Sequence, residues 1–323
     1  MAWDAIAGQA HAKRILQGHL AAGEVAQAYL LAGPDGVGKR RLAMDMATAL
    51  VCVGTGARPC EACIHCRQVS RGVHPDVHLV APGGGADQIR IDDIRHLLGR
   101  LALKPFSAAT QVAVIEAAER LNEEAANCLL KTLEEPSRSA RFLLTTARLS
   151  QCLPTVVSRC QLVRCEPLPP DVVARLLLEQ HACEAGAAAA IGRLCNGSMT
   201  RALELAGRWD AHERIVGQLA DPASPAWLSQ PLPETREEVL ALLDSLMEWL
   251  RDVAVTAAAD PALAAHAERA DALRRQARTV DLDRCVAAVF DLIALRDSAI
   301  EQFVSPKLIA AVAREKWLSL FDA

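Results

Sequence analysis

An α/β module with a parallel sheet, followed by helical domains, is the fold class this sequence predicts, and three observations predict it. Short apolar runs at 28–32, 77–81, 111–115, 141–146 and 162–165 alternate with helix-patterned segments, as buried parallel strands do. A glycine-rich loop, Gly33-Pro-Asp-Gly-Val-Gly-Lys39, sits between the first run and the helix after it. Beyond Pro167-Leu-Pro-Pro170 the apolar runs stop and the rest reads as helix.

The elements follow in order. Residues 4–27 read as one helix, with Ile6, Ile15, Leu16 and Leu20 among polar positions. Strand 28–32 ends at Gly33, and an Ala/Leu/Met helix covers 41–53. A cysteine-rich excursion fills 52–66. Strand 77–81 is closed by Pro82-Gly-Gly-Gly85, and a helix over 89–103 carries Asp92 and Asp93 near its start, where the dipole favours them. Strand 111–115 precedes a helix over 118–133 stopped by Pro136. Strands 141–146 and 162–165 complete a sheet whose strands alternate with helices. The predicted domains are a nucleotide-binding-like module at 1–166 with an insertion at about 52–70, a small helical domain at 167–208 and a larger helical one at 209–323. Asn196-Gly197 marks a turn, and the stretch from Asp221 to Glu234 holds four prolines.

Composition narrows the class. A chain of 323 residues exceeds one ordinary core. Aromatics are 3% of residues, and alanine and leucine dominate, which favours helices over sandwiches. A net charge of -4 excludes a protein that coats DNA by charge, so any nucleic-acid contact is local or shared with partners. The start, Met1-Ala-Trp-Asp-Ala, does not read as a signal peptide, and no run of about 18 apolar residues suggests a membrane span. Eleven cysteines without a secretion signal fit a reduced cytoplasm and ask for a metal site rather than a disulfide framework.

Five sites carry chemistry. In the loop, Gly33, Gly36 and Gly38 let backbone N–H groups turn onto phosphate oxygens, and Lys39 would reach the β- and γ-phosphates. The position after the lysine calls for Ser or Thr to ligate magnesium; here it is Arg40, which leaves a plain glycine-rich turn as the other reading. The third strand ends Glu116-Ala117 where an ATPase has two carboxylates. Glu116 is either a longer-reaching metal ligand or a strand-end charge, and Ala117 cannot orient water. Cys52, Cys60, Cys63 and Cys66 form C-x7-C-x2-C-x2-C, a spacing for tetrahedral structural zinc, with His65 as a competing ligand and free buried thiols as the alternative. Arg159, in Ser158-Arg-Cys160, is either a surface arginine or a group for neutralising a γ-phosphate across an interface. Arg201 falls in the first turn of a helix capped by Ser198 or Thr200, where the dipole disfavours a cation; it is a plain surface residue or a phosphate contact.

Together these residues resemble the bacterial clamp-loader branch of the AAA+ proteins over at least residues 3–209. Asn127-x-Leu-Leu-Lys-Thr-Leu-Glu-Glu-Pro136, Ser158-Arg-Cys160 and the four-cysteine insertion are similar to that family's hallmark segments. Gly197 to Arg201 resembles its second sensor, and Thr145 or Thr146 falls at its first. The family's motor subunits (gamma/tau) carry Lys-Ser/Thr and Asp-Glu. Lys39-Arg40 and Glu116-Ala117 depart at both places, so the chain resembles a non-motor subunit. The resemblance implies an AAA+ module, a helical lid and a C-terminal helical collar. It implies a hetero-pentamer with gamma/tau and delta subunits that loads a sliding clamp onto primed DNA. It also implies that Arg159 is presented in trans to a neighbour's ATP, with ATP or ADP binding in the chain's own loop left open.

Three rivals stand beside this reading. A gamma/tau-type ATPase conflicts with Arg40 and Ala117. A P-loop kinase or transferase needs an acceptor site and a magnesium ligand. A zinc-stapled helical scaffold would bind no nucleotide.

Overall fold

The computed structural model describes residues 2–83, 88–135, 137, 139–221, 231–260, 263–300 and 304–321. Pro136, Gly84 and Gly85, named above, lie outside them, as do Pro222 and Pro225 of the proline-bearing stretch. By its internal contacts the chain divides into two compact units: Met1–Val172 with Gly197–Thr200, and Val173–Asn196 with Arg201–Ala323.

The first unit holds a parallel sheet of β1 (Ala28–Ala32), β2 (Val77–Val80), β3 (Gln111–Ile115), β4 (Ala140–Thr146) and β5 (Gln161–Arg164). The strand order is β2-β3-β4-β1-β5. All five runs expected from sequence are strands, and β1 and β3 fall on the expected residues. β1 and β3 are buried at every position, which is why they read as continuous apolar runs. Alternate side chains serve two cores. Tyr29, Leu31, Val112, Val114 and Leu143 pack with α1 (Ala10–Ala22) and α2 (Lys39–Val51). Leu30, Ala113, Ile115, Phe142 and Leu144 pack with α4 (Ile91–Leu101) and α5 (Glu123–Glu134). A short helix, α3 (Ile64–Ser70), lies in the cysteine-rich excursion, and another, α6 (Pro154–Val157), precedes β5.

Two expected helices are interrupted. The segment at 4–27 breaks at Gly8 and Gln9, whose φ values of 64 and 54° are left-handed and cannot continue a helix. The break serves the site: Gln9 Nε2 donates to the carbonyls of Val37 (3.1 Å) and Glu166 (2.6 Å), tying the glycine loop to the end of β5. The segment at 118–133 opens with a 3-10 turn over Ala118–Arg120, and α5 starts after Asn122, whose side chain accepts from the Ala125 N–H at 2.9 Å.

The second unit is helical: most of α7 (Pro170–His181), α8 (Ala185–Leu194), most of α9 (Met199–Gly207), α10 (Trp209–Leu219), α11 (Arg236–Ala258), α12 (Ala270–Ala277), α13 (Leu282–Ile300) and α14 (Pro306–Ser319). Thr235 and Glu238 form a reciprocal cap at the start of α11. Its core is built on Trp249 and Trp317, both fully buried, with Trp249 Nε1 donating to Gln276 at 2.8 Å. No helix among the described residues is long and apolar enough to cross a membrane.

Candidate functional site

The glycine loop follows β1 and runs into α2, so its backbone lies at the carboxyl ends of the strands, where open α/β sheets bind ligands. The sequence at this turn is dictated by close approaches. A Cβ on Gly33 would lie 2.1 Å from the Cys165 carbonyl oxygen. Gly36 has φ +71°, and a Cβ there would lie 2.5 Å from Ser198 Oγ. The Met199 N–H donates to the Gly36 carbonyl at 2.9 Å, so the 197–200 segment is bound to the loop.

Lys39 is buried at the start of α2. Its Nζ donates to the carbonyls of Gly33 (2.8 Å) and Pro34 (2.6 Å), and the Asp35 carboxylate lies at 3.6 Å. Burial pulls its pKa down, and Asp35 works against that. Arg40, the next residue, reaches β3: its Nε lies 2.8 Å from Glu116 Oε1. The geometry falls short of a hydrogen bond, and that oxygen has no hydrogen-bond partner. Burial raises the Glu116 pKa, and Arg40 opposes the rise. Ala117 adopts a left-handed backbone, φ 52°, and donates its N–H to Thr145 Oγ1 at 3.2 Å. These groups, with Arg41, Glu119, Ala147 and Thr200, line a cleft of about 500 Å³. Glu119 was not singled out in the sequence; its Oε1 accepts the Ala147 N–H at 2.9 Å.

Arg159 lies after α6 and is not among the residues lining that cleft. Its guanidinium donates to Glu134 at the end of α5, to the Thr155 carbonyl at 3.0 Å and to Ser158 Oγ at 3.4 Å. The Leu-Glu-Glu and Ser-Arg-Cys segments therefore meet, a contact that spacing alone does not reveal. In the second unit, Arg201 is in the first turn of α9 and pairs with Glu248 of α11.

The four cysteine sulfurs all lie within 4.8 Å of one another. The shorter separations are 3.5 Å (Cys63–Cys66), 3.9 Å (Cys60–Cys66) and 4.0 Å (Cys52–Cys63). Sulfurs about 2.3 Å from a tetrahedral metal stand about 3.8 Å apart, so the set has the right size for zinc. Backbone N–H groups of Gly54, Cys60, Cys63 and Cys66 donate to the sulfurs at 3.3–3.5 Å. Burial works against the Cys63 thiolate, yet hydrogen bonds from Cys66 and Val53 outweigh it and bring its pKa to about 6. His65, the competing ligand, is turned away: its Nδ1 bonds to His74 Nε2 at 2.8 Å.

The family described as "DNA polymerase III, delta subunit" matches residues 8–169. The delta' subunit of DNA polymerase III from Pseudomonas aeruginosa is 36% identical over 240 residues, which is 69% of this chain and 70% of that protein. The delta' subunit from Bacillus subtilis is 33% identical over 53% of this chain, and the match spans about half (52%) of that relative. The tau subunit from Escherichia coli is 29% identical over 76% of this chain and 41% of tau.

Proposed function

The chain belongs to the DNA polymerase III delta-subunit family as a delta-prime-type clamp-loader subunit, a role in DNA replication, and on that premise we propose that it is the partner that does not hydrolyse ATP but completes a neighbour's ATP site. The contact of Arg40 with Glu116 carries the first half of the reading. The two positions that a motor subunit would turn on magnesium are here turned on each other. Ala117 supplies nothing to orient an attacking water, and either loss alone costs orders of magnitude in rate.

Arg159 supports the second half. It is a planar, permanently charged group, partly exposed and held by Glu134, Ser158 and the Thr155 carbonyl rather than sunk in a core. In trans it would neutralise charge developing on a neighbouring γ-phosphate. The partners are gamma/tau motor subunits and a delta subunit in a hetero-pentamer, with the sliding clamp and primed DNA as its working substrates, in the cytoplasm. Residues 1–166 serve as the AAA+ module, 167–208 as its lid and 209–323 as the collar. An exposed apolar stripe on α13, Leu282, Val286, Phe290, Ile293 and Ile300, suits such a collar. At 3.6 residues per turn these five fall within an arc of about 80°.

Two measurements test this. The isolated chain should hydrolyse no ATP above background, yet join gamma/tau and delta subunits in a stable complex. Turnover of about one per second by the chain alone, abolished by Lys39→Ala, would favour the motor reading. The four cysteines should hold one zinc per chain as a closed structural site. A Cys63→Ser/Cys66→Ser variant that retains full zinc would refute that, whereas chelation should loosen residues 52–70 and spare the sheet.

A further inference from the structure

The residues around the glycine loop do not fit a magnesium-bound nucleotide. Such a site needs a hydroxyl after the lysine and a carboxylate on the acidic strand, both directed at the cation. Here the guanidinium of Arg40 stands 2.8 Å from the Glu116 carboxylate, so a divalent ion placed between them would meet a like charge. The backbone of the cradle is kept, with Lys39 Nζ resting on the Gly33 and Pro34 carbonyls. Gly36 and Gly38 hold left-handed φ values of 71 and 96°, the 13-residue helix α2 starts at Lys39, and the cleft has room for a ligand at about 500 Å³.

We propose that this cleft binds the polyphosphate of a nucleoside di- or triphosphate without a divalent cation, with Arg40 as the counter-ion and Glu116 as the strut that aims it. The two departures read separately from the sequence are then one device. Arg40 and Glu116 both line the cleft and the Arg40 side chain is 64% exposed, so its guanidinium is accessible there without leaving Glu116. Arginine has five donors, and one contact with a carboxylate leaves the others for phosphate oxygens. Arg41 also lines the cleft, but its carboxylate partner is Asp45 of its own helix, at 3.5 Å, and not the strand-end Glu116. With Ala117 where a motor subunit has its second carboxylate, that water-orienting group is missing, so a bound nucleotide is retained rather than turned over. The proposal rests on reading the cleft as a nucleotide site and is independent of Arg159.

The test is titration of the full chain with a fluorescent ADP derivative, in EDTA and in magnesium. The expected result is binding in both, with dissociation constants agreeing within about threefold. Arg40→Ala should weaken binding in EDTA by about tenfold or more, the loss of one charge-assisted contact. Arg40→Lys should recover part of it. Arg40→Ser, which restores the metal-ligating residue, should make binding depend on magnesium. No binding in either condition, binding by the native chain only with magnesium, or native affinity in the Arg40 variants would each overturn the proposal. Because the isolated chain is used, these failures are separate from a failure of Arg159 in the assembled complex.

Discussion

Two arginine–glutamate pairs mark the two ends of the proposed function, and they differ in the burial of the carboxylate. In the cleft, Arg40 meets a Glu116 side chain that is only 16% exposed. At the other site, the side chains of Arg159 and Glu134 are 34% and 49% exposed. Burial disfavours the Glu116 charge, and Arg40 is the group that opposes this, so that pair is a fixture of the cleft. An exposed pair contributes at most about 1 kcal/mol, so a more highly charged anion can take the guanidinium from Glu134 at little cost. The same chemistry therefore fixes one arginine at the cleft and, on the proposed reading, leaves the other free to be delivered.

A third carboxylate sets the limit of this comparison and gives the largest expected effect on stability. Asp76 is 1% exposed and accepts the N–H groups of Phe106, Ser107 and Ala108 at 2.6, 2.7 and 2.8 Å, with the Ser107 hydroxyl at 3.1 Å. Burial alone would raise its pKa; these donors outweigh it and hold the group below the usual carboxylate value. The folded pKa thus lies below the unfolded value of about 3.9. The stabilisation is present above that pH and is lost as pH falls through the lower folded value. Asp76→Asn should cost about 2–4 kcal/mol in chemical denaturation at neutral pH and make the protein less sensitive to acid. An unchanged denaturation midpoint would show that backbone donors do not make this carboxylate a structural anchor.

The smaller effects separate the two pairs. The folded pKa of Glu116 is raised above its unfolded value of about 4.3. Its favourable contribution is therefore present below that value and lost as pH rises through the folded pKa, so the ionised group costs stability at neutral pH. Glu116→Gln should leave stability unchanged or raise it by up to about 1 kcal/mol. Glu134→Gln should change it by less than about 0.5 kcal/mol. Thermal or denaturant melts of both variants check this. A loss of more than about 1 kcal/mol in Glu116→Gln would make the Arg40 pair a net stabiliser and remove the contrast.

Much of the architecture was legible in the sequence because it is local. The apolar runs of β1 and β3 appear at their observed residues since all their side chains are buried. The four cysteines were legible because their spacing brings the sulfurs together through one short loop. What was not legible depends on distant partners. The break at Gly8-Gln9 exists because Gln9 reaches Glu166, 157 residues on. The shortened start of α5 follows the left-handed turn at Ala117, whose N–H is fixed by Thr145 on a neighbouring strand. His65 looked like a metal ligand by position, yet His74 claims it. Arg40 and Glu116 read as two separate defects because nothing in their spacing says they touch.

The most direct test of the central claim is the ATPase of the assembled complex with Arg159→Ala in this chain alone. Removing a loop arginine whose partners are an exposed carboxylate, a hydroxyl and one carbonyl should leave folding and assembly unchanged. An arginine finger is worth about 10³–10⁵ in rate at its own site. The complex has other sites, so the expected result is a smaller but clear loss of clamp- and DNA-stimulated turnover and of clamp loading, poorly recovered by Arg159→Lys. A fully assembled Arg159→Ala complex with undiminished turnover and clamp loading would contradict the account.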